Sequence, residues 1–258
     1  MSSSLRVAWT LARVVLHILF ALVIVGLLFP FASITRRRAF VRWWSGRVLT
    51  ICRVRLHVIE PPVDRSGHDV IAAALRPGGI GAMLVMNHIS WLDIFVVQSL
   101  RTARFIAKDE IAHWPLLGFL TDRTGAVFIE RGKRRALREA NRRVAELLVE
   151  GELVCMFPEG AVSDGTGLLP FHGNLLQSAV STSTPIQPVV IRYRDAHAEP
   201  SLAPAYIGEM TLLQSVSQVI RADRLRVRVE LLAPQSTHGA DRRELAERLR
   251  GQMAAVLA

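Results

Sequence analysis

From Leu56 onward the chain alternates short apolar runs with amphipathic stretches, and this alternation restricts the fold more than any other feature. Runs of four to eight apolar residues separated by helical patterns are the signature of an α/β domain, in which strands are buried on both faces and helices cover them. The expected strands are Leu56–Ile59, Ile80–Met86, Ala103–Ala107, Ala126–Ile129, Leu153–Phe157, Ile186–Tyr193 and Leu225–Leu232. Lys133–Glu150 reads as the clearest helix, with Leu137, Val144, Leu147 and Leu148 on one side, arginines on the other and Gly151 as its C-cap. Gly173–Ser183, Leu212–Ile220 and Asp241–Leu257 read as further helices, and Pro61-Pro62 and Arg76–Gly79 as loops.

The segment before this domain differs in composition. Val14–Ile34 has only His17 and Ser33 as polar interruptions, and 21 residues of helix span roughly 31 Å, close to the thickness of a bilayer's hydrocarbon core. Arg36-Arg37-Arg38 follows instead of a small-residue cleavage site, which argues against a signal peptide. The larger arginine cluster lies after the apolar run, so the positive-inside tendency places the rest of the chain in the cytoplasm. Pro30 leaves two poses open, a helix that crosses and one that dips in. Beyond it, Phe40, Trp44, Val48 and Ile51 fall on one side of a helix with Arg38 and Arg42 on the other, the pattern of an interfacial segment. Residues 1–55 are therefore expected to form a membrane anchor with a basic interfacial segment, and 56–258 one further domain.

Charge supports this division. The net charge of +10 comes almost wholly from residues 1–59, which hold nine arginines and no Asp or Glu. Basic residues flanking an apolar run suit an anionic lipid surface rather than nucleic acid, for which a basic folded face with interleaved aromatics would be expected. Cys52 and Cys155 have no Cys-x-x-Cys spacing, so neither a zinc site nor a redox pair is expected.

Gly-x-Ser-x-Gly, the phosphate loop, Gly-x-Gly-x-x-Gly and His-Glu-x-x-His are all absent, which disfavours serine hydrolases, nucleotide hydrolases, dinucleotide enzymes and metalloproteases. Four unusual blocks remain. In Asn87-His88-Ile89-Ser90-Trp91-Leu92-Asp93, Ser90 to Asp93 fits a capping box at a helix start, while the chain reversal after the strand could also bring Asp93 to His88. A carboxylate there could fix the tautomer of the ring and stabilise its protonated form. Lys108-Asp109-Glu110 follows a strand. Gly125–Arg131 delivers an arginine at a strand end, suited to clasp a phosphate. Phe157-Pro158-Glu159-Gly160 lies at another strand end. In a mostly parallel sheet, His88, Arg131 and Glu159 would all stand at carboxyl ends, where α/β sheets bind ligands.

Together these blocks resemble the glycerolipid acyltransferases, especially the 1-acyl-sn-glycerol-3-phosphate acyltransferases. The resemblance rests on Asn-His-x-Ser-x-x-Asp (Asn87, His88, Ser90, Asp93), Gly-x-x-Phe-Ile-x-Arg (Gly125, Phe128, Ile129, Arg131), Phe-Pro-Glu-Gly (157–160) and the proline-bearing strand Pro185–Val190. It implies a mixed, mostly parallel sheet flanked by helices. It also implies an acyl-coenzyme A or acyl-carrier-protein donor as co-substrate, a lysolipid acceptor, and no bound cofactor or metal. By resemblance His88 is the base that deprotonates the acceptor hydroxyl and Asp93 orients it. Arg131, Glu159 and Gly160 shape the acceptor site, with Asn87 and Lys108 counted among the substrate-binding residues. The expected location is the cytoplasmic face of the inner membrane. One departure stands out: many relatives continue Glu-Gly with Thr-Arg, whereas here Ala161-Val162 precede Ser163-Asp164-Gly165. That continuation looks more like lyso-ornithine lipid acyltransferases. A thioesterase, with water in place of the acceptor, is the competing class, and a non-catalytic scaffold a third.

Overall fold

The computed structural model describes residues 3–59, 81–130 and 132–257. The loop Pro61-Pro62, the loop Arg76–Gly79, Ile80 and Arg131 lie outside the described residues. All seven expected strands are present: β1 (Arg55–Ile59), β2 (Ala82–Met86), β3 (Arg104–Lys108), β4 (Val127–Ile129), β5 (Leu153–Met156), β6 (Ile186–Arg194) and β7 (Arg226–Leu231). They form one sheet in the order β1-β7-β6-β2-β5-β3-β4. Every neighbouring pair is parallel except β6 with β7, which is antiparallel. The fold is thus mixed α/β with a mostly parallel sheet.

Nine helices were found among the described residues: α1 (Ser3–Leu27), α2 (Ile34–Ile51), α3 (Leu92–Leu100), α4 (Asp109–Ala112), α5 (Leu117–Arg123), α6 (Arg134–Val149), α7 (Leu176–Ser181), α8 (Leu212–Arg221) and α9 (Arg242–Leu257). The expected helix 173–183 begins as a 3₁₀ turn over Gly173–Leu175 before α7.

The pleat divides the core in two, because successive side chains of a strand point to opposite faces. Leu84 and Met86 of β2, Ile191 and Tyr193 of β6, and Val227 and Val229 of β7 pack with Val48 and Leu49 of α2 and Leu92 and Val96 of α3. Met83 and Val85 of β2 and Val154 and Met156 of β5 face the other way, onto Val144 and Leu148 of α6, Leu176 of α7 and Leu245 and Leu249 of α9. β2 is buried at every position, as a central strand covered on both faces must be. Gly81, at its entry, donates its N–H to the Leu148 carbonyl oxygen. A methyl group there would collide with that oxygen and stand 2.7 Å from the Glu152 carbonyl oxygen. Gly81→Ala is therefore expected to cost about 1–3 kcal/mol of stability by overpacking backbone against backbone. Urea unfolding of the two proteins measures it, and equal midpoints would show that the α6–β5 corner yields freely.

The amino-terminal region departs from expectation in two ways. The apolar segment is not one helix from Val14 to Ile34: α1 starts at Ser3 and ends at Leu27, a 3₁₀ turn covers Phe29–Phe31, and α2 begins at Ile34. Pro30 cannot donate a helical hydrogen bond, and the Ser33 hydroxyl caps the new helix by accepting from the Arg36 N–H. Second, the side of α2 carrying Phe40, Trp44, Val48 and Ile51 does not face outward. Phe40 and Trp44 pack against Ala21, Val25 and Phe29, and Val48 lies in the main core. His17, the one polar side chain within the apolar run of α1, serves this hairpin. Its ring stacks on Trp44 at 5.2 Å, and the Trp44 indole N–H donates to the His17 carbonyl oxygen at 3.1 Å. Arg38 of α2 reaches Glu152, which also holds Arg104. The outer side of α1 remains apolar and open, with Leu16, Leu19, Phe20, Val23 and Leu27 all exposed. Among the described residues this helix alone is long and apolar enough to cross a membrane.

Candidate active site

β2 and β5 are parallel neighbours, so the residues that follow Met86 and Met156 emerge side by side at the carboxyl edge of the sheet. Asn87 is the first. It is wholly buried, and its side-chain amide donates to the Ile191 carbonyl oxygen at 3.0 Å and accepts from the Ile191 N–H at 2.7 Å. Expected among the substrate-binding residues, Asn87 instead has both ends of its amide engaged in clamping the end of β2 to β6. Its place in the site is that of a positioning residue.

Next comes His88. Its Nδ1 lies 2.9 Å from Asp93 Oδ2, and that same oxygen accepts from the N–H groups of Ile89 at 2.8 Å and Ser90 at 2.9 Å. A carboxylate oxygen already receiving two donors is an acceptor, so the proton on the His88 ring resides on Nδ1. Asp93 is fully buried in the first turn of α3, where the helix dipole favours an anion. Half of the expected capping box is present: Asp93 accepts from Ser90, but the Ser90 hydroxyl accepts from Leu92 rather than from Asp93. Capping and the His88 contact thus share one oxygen. The other, Oδ1, receives the Tyr193 hydroxyl at 2.7 Å. Burial and the Asp93 charge push the Tyr193 phenol well above its ordinary range, so it remains a donor.

The His88 ring lies flat on Phe157, with centroids 3.9 Å apart and planes 12° from parallel. Its side chain is 20% exposed. Nε2 has no hydrogen-bond partner among the described residues. The ring is thereby held in one orientation, with Nδ1 committed to Asp93 and Nε2 unengaged among the described residues.

Glu159 fixes the backbone beneath it. One carboxylate oxygen accepts the His88 N–H at 2.9 Å and the other the Leu169 N–H at 2.8 Å. Only 4% of Glu159 is exposed, and burial pushes its carboxyl above the usual carboxylate range while these two N–H groups and His88 oppose the shift. It therefore ties the His88 loop to the loop that follows β5. Gly160 sits in the left-handed region at φ 64°, closing a turn in which its N–H reaches the Phe157 carbonyl oxygen. The His88 carbonyl oxygen accepts from both the N–H of Ser163 at 2.7 Å and its hydroxyl at 3.3 Å. The serine of the unusual Ser-Asp-Gly continuation thus buttresses the histidine. Lys108 is exposed at the end of β3, in register with Ile129 of β4. The structure therefore brings His88, Asp93, Glu159 and Gly160 together, places Lys108 two strands from β2 on the same edge, and says nothing of Arg131. Among the described residues, no group of three His, Cys, Asp or Glu side chains is arranged as metal ligands would be.

Sequence reasoning missed Tyr193, Ser163 and the stacking role of Phe157. Tyr193 is one of only two tyrosines and stands between Arg192 and Arg194 at the end of β6, which was the available signal.

The chain is similar to known proteins over most of its length. The acyltransferase family model matches residues 66–192. The lyso-ornithine lipid O-acyltransferase of Pseudomonas aeruginosa is 35% identical over 218 residues, covering 84% of this chain and 78% of that protein. The 1-acyl-sn-glycerol-3-phosphate acyltransferase of Neisseria meningitidis is 35% identical over 225 residues, covering 87% and 82%. The crystal structure of the 1-acyl-sn-glycerophosphate acyltransferase PlsC from Thermotoga maritima matches with a TM-score of 0.69 over 99% of this chain and 94% of that one; at 19% identity this is a likeness of fold. With two relatives matched at this identity over most of their length, the chain belongs to the glycerolipid acyltransferase family and is an acyltransferase.

Proposed function

We propose that the protein transfers a fatty acyl group from a thioester donor, acyl-coenzyme A or acyl-carrier protein, to the hydroxyl of 1-acyl-sn-glycerol-3-phosphate. The observation that carries this reading is the His88 Nδ1–Asp93 Oδ2 contact of 2.9 Å beside an Nε2 with no partner among the described residues. In the proposed reaction Nε2 takes the proton of the acceptor hydroxyl as its oxygen attacks the thioester carbonyl carbon. Asp93 stabilises the imidazolium that forms. The carbon–sulfur bond then breaks, and the departing thiolate recovers the proton from Nε2. The balance needs no protein nucleophile, because the thioester is already activated. Arg131 is assigned to the acceptor phosphate on its sequence block alone, and Lys108 is counted with the substrate-binding residues on its place at the carboxyl end of β3.

We assign α1 an interfacial pose at the cytoplasmic face of the inner membrane. Two contacts support this: Val7, near one end of α1, packs on Val216 and Ile220 of α8, and Ala21 and Val25, near the other, pack with Leu120 of α5. A helix held to the same domain at both ends cannot also cross the bilayer. Its exposed apolar side then enters the interface, where the lysolipid resides.

A second acceptor, lyso-ornithine lipid, is favoured by Ala161-Val162 in place of Thr-Arg and by the Pseudomonas relative. Membranes carrying the protein, supplied with labelled acyl-coenzyme A or acyl-carrier protein and a panel of lysolipids, distinguish the readings. Phosphatidic acid formed from lysophosphatidic acid is the expected product. Product from lyso-ornithine lipid alone replaces the acceptor and keeps the chemistry, and free fatty acid formed without any lysolipid would mean a thioesterase.

A further inference from the structure

α1 carries Arg6, Trp9, Thr10 and Arg13 at positions i, i+3, i+4 and i+7, which places them on one stripe of the helix. Where α2 ends, Ile51 and Arg53 face this stripe across a cleft of about 410 Å³. Three arginines therefore converge on one concavity. Among the described residues no carboxylate lines it and no ion pair engages any of the three. Arg53 occupies the position just past the C-cap of α2 with φ 61°, left-handed geometry that glycine adopts at least cost. The strain is borne at the residue whose side chain completes the cleft.

Like charges brought together without a counterion call for an anion, and guanidinium groups match the oxygens of a phosphate. The surroundings indicate its source. Trp9 forms one wall and is 61% exposed, as an aromatic at a bilayer–water boundary would be. The same helix continues into the open apolar side formed by Leu16, Leu19 and Phe20. β1, which follows Arg53, starts at Arg55 opposite Arg226, itself opposite Arg194 at the carboxyl end of β6. The cleft thus opens on the edge of the sheet that carries His88. We propose that Arg6, Arg13 and Arg53 form a binding site for the phosphodiester headgroup of an anionic phospholipid, separate from the acyl-transfer site. The inference rests on the interfacial pose of α1 and not on the choice of acceptor.

The test is co-sedimentation of the full chain with phosphatidylcholine vesicles that contain or lack phosphatidylglycerol, at fixed ionic strength. Arg13→Gln/Arg53→Gln is compared with Arg36→Gln/Arg42→Gln, which removes the same charge from the exposed side of α2. Diffuse attraction to an anionic surface costs roughly fivefold per arginine wherever it lies. A built site predicts that the cleft pair loses at least about tenfold more of the phosphatidylglycerol preference than the control pair, with binding to pure phosphatidylcholine retained. Arg6→Gln alone gives the same direction of change should the double variant fold poorly. Equal losses in the two pairs overturn the site. Abolition of the wild-type preference by inorganic phosphate or coenzyme A assigns the cleft to a soluble anion and overturns the lipid. A wild type that binds neither vesicle removes the interfacial pose itself, while leaving acyl transfer in detergent untouched.

Discussion

His88→Ala is expected to lower acyl transfer by about 10²–10⁴-fold, the range associated with a positioned general base. The fold should survive intact. Glu159 and Ser163 grip His88 through its backbone N–H and carbonyl oxygen, and alanine keeps both. What alanine removes is the ring, which stacks on Phe157 and meets Asp93. Loss of that ring from a partly exposed position is a small packing cost. The measurement pairs steady-state transfer with thermal unfolding of the same preparations. Near-normal turnover in a folded variant would remove His88 from the chemistry. Donor hydrolysis measured without lysolipid belongs in the same experiment, because a thioesterase would lose it in parallel.

The central strands β2 and β5 were legible because each is a short apolar run buried at every position, and β7 because its valines alternate with charged residues. His88 and Asp93 were legible for a local reason: five residues spanning a strand end and a helix start bring the two side chains back together. The clamps around them were not. Asn87 meets Ile191, Glu159 meets the backbone of His88, and Tyr193 meets Asp93 across 100 residues. No short-range spacing encodes such contacts; they follow from β2, β5 and β6 being neighbours in the sheet. The helix break at Pro30 illustrates a different limit. Apolarity continues through it, so composition marks one segment where backbone chemistry makes two. The inward side of α2 was misread because an amphipathic stripe looks the same whether it meets lipid or another helix.

Asp93→Asn should lower turnover by about 10³-fold with little loss of stability, and the asymmetry comes from the hydrogen bonds on its two oxygens. Asparagine can place its carbonyl oxygen where Oδ2 lies and still accept from His88 Nδ1 and from the N–H groups of Ile89 and Ser90. Its amide nitrogen then takes the place of Oδ1, and the Tyr193 hydroxyl rotates from donor to acceptor. Tautomer and ring orientation survive; the negative charge does not. For an imidazolium about 4 Å from a carboxylate, at the effective dielectric constant typical of proteins, that charge is worth about 4 kcal/mol, or about three powers of ten in rate. Tyr193→Phe is the informative contrast. It retains the charge and removes one neutral donor, so a loss of no more than about tenfold is expected, in line with about 0.5–1.5 kcal/mol for such a bond. The Asp93→Asn/Tyr193→Phe double variant leaves a buried amide N–H without its acceptor, and should lose about 1–3 kcal/mol of stability beyond the sum of the single variants. Rates for the three variants together with their unfolding free energies check both halves. Turnover within tenfold of wild type in Asp93→Asn would mean that Asp93 only orients the ring, and an additive double variant would mean that the Tyr193 hydroxyl does not rotate to meet the amide.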